Sequence, residues 1–172
     1  MKLGMANKLW LILIVAMGYS ACISSKKRME KKLKTLTELT YAFGDASVPP
    51  PFHRSYTLVA NKDTIQLTVD SYGEVLAEKT YGMPEGGLQR IAQSLLKHNI
   101  SERKEKKEND GCTGGTTRSI AFTCAKDTTP FYASAYYCGG AVYGTLTGDV
   151  DSFFVDLKTF VPDLSAVIRS TE

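Results

Sequence analysis

Two glycine-containing segments carry the side chains whose types and spacing could bind or transform a ligand. The first runs from Cys112 to Arg118, and the second is Cys138-Gly139-Gly140. Consecutive glycines expose backbone amides, and neighbouring hydroxyls and a cation complete the kind of concavity that holds an anionic group. Glycines that simply permit tight turns are the alternative explanation. The candidate binding residues are Thr113, Gly114, Gly115, Thr116, Thr117, Arg118, Gly139 and Gly140.

Conventional catalytic side chains are sparse. Cys112 with His53 or His98 is the only cysteine–histidine combination, and no catalytic signature surrounds it. The three aspartates between residues 149 and 156 fall at a predicted helix start, where Asp is expected for capping. With two histidines in 172 residues, the sequence predicts no metal site and no cofactor. These features favour a binding protein over an enzyme.

The N-terminus has the composition of a secretory signal peptide. Lys2 and Lys8 precede the apolar run 9–17, and small residues follow it. The run is shorter than the roughly 20 residues that span a bilayer as a helix.

Ser20-Ala21-Cys22 resembles the lipobox of bacterial lipoproteins, although Tyr19 stands where that family usually has Leu. The resemblance implies that Cys22 carries acyl chains such as palmitate and becomes the mature N-terminus. Ile23, not Asp, follows the cysteine, which by the same resemblance implies the outer membrane. No acidic run follows the cysteine, which favours the periplasmic side, and the cell surface is the alternative. A plain signal peptide cut after Ser20 also remains open.

A cluster of cations follows Cys22. Six bases and one acid lie between residues 26 and 34, whereas residues 35–172 contain 13 bases and 17 acids. A lipid chain and a basic patch together make a two-signal membrane anchor. The formal net charge of +3 over the whole chain is too small to predict nucleic-acid binding. The expected partners are therefore a membrane, through Cys22, and a protein.

Export permits disulfides, and removal of the signal peptide leaves three cysteines besides Cys22. Cys124 falls in the apolar phase of a predicted strand, as a buried thiol does. Cys112 and Cys138 lie at predicted strand–loop junctions that a hairpin brings to one end. The sequence therefore predicts a Cys112–Cys138 disulfide.

Hydrophobic periodicity divides the mature chain into strands and helices. A helix is predicted over 26–43 and a Pro-rich linker over 44–53. The charged segment 101–110 is either a solvated loop or an exposed edge strand. Aromatic residues between 131 and 143 could form a protein- or sugar-binding face. The remaining predicted elements are strands 55–60, 64–70, 74–80, 118–125, 131–138 and 141–146, and helices 84–98, 149–161 and a short one after Asp163.

These elements predict an α+β fold: an antiparallel sheet of about six strands with two main helices on one face, arranged as two β-β-β-α units, after an N-terminal helical tether. Two separate sheets are the alternative. The expected organisation is a signal peptide over 1–21, a lipidated, basic and Pro-rich region over 22–53, and one domain over 54–172.

The composite prediction is an envelope lipoprotein that binds a protein, as inhibitor and immunity modules do. The alternative is a small-ligand binder or enzyme that uses the loops at 111–118 and 138–140. Thr64 and Thr128 follow aspartates on predicted turns, and each resembles the acceptor of a Gram-negative O-glycosylation system.

Overall fold

Eight strands form one fully antiparallel sheet in the computed structural model of the chain, which describes residues 27–108, 111–125 and 127–171. The strands are β1 (Leu36–Gly44), β2 (Ser55–Asn61), β3 (Thr64–Ser71), β4 (Glu74–Gly82), β5 (Ser101–Lys106), β6 (Thr116–Cys124), β7 (Phe131–Cys138) and β8 (Ala141–Thr147). Their order across the sheet is β4-β3-β2-β1-β6-β7-β8-β5. β1 and β6 therefore lie at the centre, and β4 and β5 form the two edges.

The helices are short. They are α1 (27–33), a 3-10 turn (Pro50–Phe52), α2 (Gly87–Lys97), α3 (Val150–Lys158) and α4 (Leu164–Arg169). None of the helices in the described ranges has the length and apolarity needed to cross a membrane.

The core lies between one face of the sheet and the helices. Alternation along each strand sends every second side chain to this face, so that Leu39 and Tyr41 of β1 are fully buried. The Phe154 ring of α3 stacks on Tyr41 at 5.0 Å between ring centroids. α2 contributes the buried side chains Ile91 and Leu95 to the same cluster.

The opposite face of the sheet, which we call the open face, is polar. No described helix packs against it, and its side chains are mostly partly or fully exposed. Hydroxyl-bearing residues recur on it because Thr and Ser occupy the alternate positions of most strands. The open face comprises Thr40, Ala42, Thr57, Val59, Gln66, Thr68, Glu78, Thr80, Ser101, Ser119, Ala121, Ser134 and Thr145, with Tyr132, Tyr136 and Tyr143 on β7 and β8.

The predicted helix over 26–43 was wrong beyond residue 33, because β1 begins at Leu36. The apolar residues have helical spacing, but those from Leu39 to Phe43 also alternate, and the β-branched residues Thr37 and Thr40 favour a strand. The segment is a strand because its backbone pairs with β2 on one side and with β6 on the other. In the described part of the N-terminal region, the helix is therefore limited to residues 27–33. The predicted linker is also attached to the sheet, since the Pro50 carbonyl accepts a hydrogen bond from Ser71 Oγ of β3 at 2.8 Å.

The predicted fold class of about six strands in β-β-β-α units was also wrong. The sheet has two strands more than predicted, β1 and β5. β5 lies in the segment at 101–110, for which an exposed edge strand was one of the two predicted alternatives. β5 pairs only with β8 and breaks register between Glu102 and Lys106. The Arg103 guanidinium spans this break by donating to the carbonyls of Val142 and Gly144 at 3.2 and 3.3 Å. The alternative of two separate sheets does not occur in the described residues, because β1 joins β2 to β6 in one sheet.

The predicted signal peptide and the lipidation site at Cys22 lie outside the described residues.

Candidate functional site

The predicted disulfide between Cys112 and Cys138 is confirmed, with 6.1 Å between the two Cα atoms. It joins the loop that precedes β6 to the end of β7, and so brings the two glycine-rich segments together. Cys124 is a buried free cysteine, as its place in the apolar phase of β6 predicted.

The Tyr136 hydroxyl fixes the loop between the disulfide and β6. It donates to the Cys112 carbonyl at 3.0 Å and accepts from the Gly115 amide at 3.1 Å. An added Cβ at Gly115 would lie 2.4 Å from the Tyr137 carbonyl oxygen. The Gly115 amide, which would have to bind an anion, is therefore already hydrogen-bonded to Tyr136. Close packing against the Tyr137 carbonyl explains why glycine occupies this position.

Thr117 and Arg118 point to opposite faces of the sheet because they are consecutive residues of β6. The Arg118 side chain lies on the helix-covered face, forms an ion pair with Asp151 and stacks over the Tyr137 ring at 4.7 Å. Gly139 and Gly140 both have positive φ, 59° and 79°, as a two-residue hairpin turn requires. The candidate residues share one end of the molecule but do not converge on one point. Ligand binding there stays a prediction.

Neither histidine supports nucleophilic catalysis. The Cys112 thiol is consumed by the disulfide. His53 Nδ1 accepts the Tyr72 backbone N–H at 3.3 Å, so the ring proton lies on Nε2, which contacts Ser55 Oγ at 3.3 Å. A ring that donates to the serine hydroxyl cannot take its proton. The His53–Ser55 pair therefore closes the 45–54 segment and is not a catalytic dyad.

A polar network outside the sheet links α2 to α3 through Asp156. One Asp156 oxygen accepts from Ser94 Oγ at 2.9 Å and from Lys97 Nζ at 3.2 Å, and contacts His98 Nε2 at 2.8 Å. The Ser94 hydroxyl bonds to the carboxylate and not to the imidazole, so Ser94, His98 and Asp156 do not have the serine–histidine–aspartate arrangement of a catalytic triad. A groove of about 320 Å³ runs beside this network, with Arg90 over the Phe160 ring at 5.0 Å.

We expect acid to weaken this α2–α3 link. Hydrogen bonds from His98 and then Ser94 hold the pKa of Asp156 at about 2, below its ordinary value of 3.8. A depressed folded-state pKa contributes stability that is fully present above pH 3.8 and is lost as the pH falls toward 2. Asp156→Asn should therefore lower the free energy of unfolding at pH 6 and flatten its decline between pH 4 and 2.

Urea unfolding at stepped pH values measures both effects. Asp63→Asn, at the exposed β2–β3 turn, is the matched control and should keep the wild-type decline. An Asp156→Asn protein with the wild-type slope below pH 4 would contradict the assignment. Asp149 and Asp163 also have lowered pKa values through hydrogen bonds from Ser152 and Lys79 respectively, so some decline persists in every variant.

The open face as a whole was not predicted from the sequence. Tyr132 is 61% exposed, and the Tyr136 and Tyr143 rings lie 6.4 Å apart on β7 and β8. Lys106 of the edge strand lies 5.4 Å above the Tyr143 ring. The available signal was the run of Thr and Ser at alternate positions of successive strands. The sequence had predicted an aromatic binding face here, but Phe131 and Tyr137 belong to the helix-covered side.

The two predicted glycosylation positions occupy different surroundings. Thr64 is half-buried at the start of β3, and its amide donates to the Asn61 side chain at 2.9 Å. Thr128 is exposed on the β6–β7 turn. Modification of either stays a prediction.

No protein-family model matches the chain, and no curated protein or solved structure shows significant similarity to it. The function must therefore be argued from the site itself.

Proposed function

We propose that the chain is a lipid-anchored protein of a bacterial envelope whose sheet domain binds a protein partner through the open face. The observation that carries the binding proposal is a broad sheet face, rich in hydroxyls and tyrosines, against which no described helix packs. An inhibitor or immunity protein of this kind acts by covering its partner and needs no catalytic group.

The dimensions of the open face suit a macromolecular partner. Eight strands at a spacing of about 4.8 Å span about 34 Å. Six or seven residues at about 3.3 Å each give about 20 Å along the strands. The product, about 700 Å², is close to the roughly 800 Å² that each partner buries in a standard protein–protein interface.

The chemistry of the open face supports the same proposal. Its central part on β1, β2 and β6 is uncharged between Thr40 and Ser119, and charged residues are depleted from the centres of protein interfaces. The three tyrosines lie toward the β5 edge. Tyr combines large contact area with low conformational entropy, and Ser provides adaptable hydrogen bonds.

The proposed membrane anchor is supported by the lipobox-like sequence at Cys22 and by the cations that follow it. The rival function, ligand binding or catalysis at the glycine-rich loops, receives less support. Its best donor, the Gly115 amide, is bonded to Tyr136, and Arg118 is paired with Asp151.

Ser119→Arg is expected to weaken partner binding at least tenfold. The substitution places a long charged side chain in the uncharged centre of the open face, where it leaves a desolvated cation in the complex. Gln93→Arg, on the exposed side of α2, is the control of equal chemistry and should bind normally. The variants should unfold at the same temperature as the wild type, since both positions are outside the core.

Photo-cross-linking in intact cells, with a photoreactive residue at Thr57 or Ser134, locates the partner. Both positions should give one adduct of constant mass, and a photoreactive residue at Gln93 should give none. Adducts from Gln93 alone, or unchanged binding by the Ser119→Arg protein, would contradict the proposal.

A further inference from the structure

We infer that α1 is a docking element for an anionic bilayer and that it fixes the orientation of the whole domain. The end of the sheet that carries α1 lies against the lipid headgroups, and the disulfide-closed end points away. This inference rests on the proposed lipid anchor at Cys22 and adds to it the surface that the membrane contacts.

α1 is joined rigidly to the sheet. Leu33 is only 3% exposed and belongs to the core cluster, against which Met29 also packs. Only residues 34 and 35 separate α1 from β1, and the Thr35 carbonyl accepts the Ala125 amide at 2.8 Å. A force applied to α1 is therefore transmitted to the sheet, so an anchor before α1 orients the domain.

The outward charges of α1 suit anionic headgroups. Of the described cations between residues 27 and 34, only two form ion pairs with described residues: Lys32 with Asp127 at 2.9 Å, and Lys34 with Glu30 at 4.0 Å. The cations without a described ion-pair partner are Lys27, Arg28 and Lys31. A groove of about 690 Å³ lies beside them, lined by Arg28, Met29, Lys31, Lys32, Lys34, Thr35 and Asp127.

The acids at this end do not cancel the cations. Asp127 is engaged by Lys32, and Asp63 lies 3.8 Å from Lys62 at the β2–β3 turn. Glu30 and Glu38 are exposed. The surface around α1 therefore keeps a net positive charge, and it attracts anionic lipids more strongly than lipids without net charge.

The chain length before α1 holds this surface at the membrane. Five residue steps separate Cys22 from Lys27, which at full extension is about 17 Å. The β2–β3 and β6–β7 turns lie at the same end as α1, since Leu36 pairs with Cys124 and Glu38 with Asn61. The loop containing Cys112 and the β7–β8 turn lie at the other end. Because the strands run between the two ends, the open face lies along the side of the docked domain.

The test uses the full protein, purified in its processed form and reconstituted into vesicles that contain a headgroup-labelled quenching lipid. A fluorescent residue replaces Lys27 at the start of α1 or Ser47 at the opposite end of the sheet. On phosphatidylglycerol vesicles the fluorophore at position 27 should be quenched and the one at position 47 should not. Salt near 1 M, which shortens the screening length to about 3 Å, and phosphatidylcholine vesicles should both relieve the quenching.

Charge reversal separates docking from anchoring. Each cation near an anionic surface contributes about fivefold, which is about 1 kcal/mol, so Arg28→Glu/Lys31→Glu should lower the ratio of docked to undocked protein at least ~25-fold. Lys104→Glu/Lys107→Glu changes the net charge equally at the β5 end and should leave the ratio unchanged.

The outcomes distinguish the inference from the proposed function. Release of the native protein from membranes by alkaline washing, with an unmodified N-terminal peptide by mass, would contradict the lipid anchor. A protein that stays in the membrane, but whose two fluorophores are quenched equally on both lipids, would overturn the orientation alone. An equal effect of the two charge reversals would show that net charge, and not α1, governs docking.

Discussion

Removal of the Cys112–Cys138 disulfide is expected to lower the free energy of unfolding by about 3.5 kcal/mol. The bridge closes a loop with a sequence separation of 26, and on the chain-entropy model a closed loop of this length restricts the unfolded chain by that amount. The loop contains the whole β6–β7 hairpin, one strand of which lies at the centre of the sheet. Reduction therefore increases the conformational entropy of the unfolded chain in the segment that forms β6 and β7.

The variant Cys112→Ser/Cys138→Ala, compared with the wild type in urea, measures this effect. Dithiothreitol should destabilise the wild type by the same amount and leave the variant unchanged, which separates loss of the bridge from packing changes at Cys138. Denaturant alone should expose one reactive thiol in the lipidated protein, and prior reduction should expose three. Three reactive thiols without reduction would contradict the pairing.

Gly144→Ala is expected to destabilise the protein by about 3 kcal/mol. Gly144 has a φ of +88°, a conformation that costs an L-residue about 1–2 kcal/mol. An added Cβ would also lie 2.4 Å from the Ser134 carbonyl oxygen on β7, so the two strands must move apart, at a further cost of about 1–3 kcal/mol. The carbonyl of Gly144 itself accepts a hydrogen bond from Arg103, so the substitution also disturbs the attachment of β5.

Gly140→Ala is the matched control. Gly140 has a similar φ of +79°, but an added Cβ there would have no neighbour within 4 Å. The control should therefore lose only the conformational part, about 1–2 kcal/mol. The difference between the two variants in urea unfolding measures the close approach of β7 and β8. Equal losses would show that Gly144 has no special packing role.

Local patterns predicted six of the strands and the main helices well, because apolar alternation and helical spacing report which side of an element is buried. The residues at 64–71 alternate so regularly that both the strand and its buried face followed from sequence. The segment at 36–44 was predicted as a helix because Leu36, Leu39 and Phe43 also fit a period of three to four. Only neighbours on both sides of the segment distinguish these two possibilities.

The candidate site was predictable in its covalent chemistry and not in its shape. The positions of Cys112 and Cys138 at strand ends were sufficient for the disulfide. The hydrogen bond from the Gly115 amide to the Tyr136 hydroxyl was not predictable, since it joins a loop residue to a strand 21 residues further along the chain. The pairing of Arg118 with Asp151 likewise depends on where α3 crosses the sheet.

By itself, the sequence determined the burial phase of most strands, the disulfide, and the concentration of positive charge before β1. These follow from composition and short-range periodicity. Tertiary structure alone decided that β1 and β6 meet at the centre of the sheet, that α1 is rigidly attached to it, and that scattered Thr, Ser and Tyr residues form one open face. The physical reason is that strand pairing is non-local: the hydrogen bonds that order the strands join residues far apart in the chain, and no local pattern specifies which neighbour a strand will have.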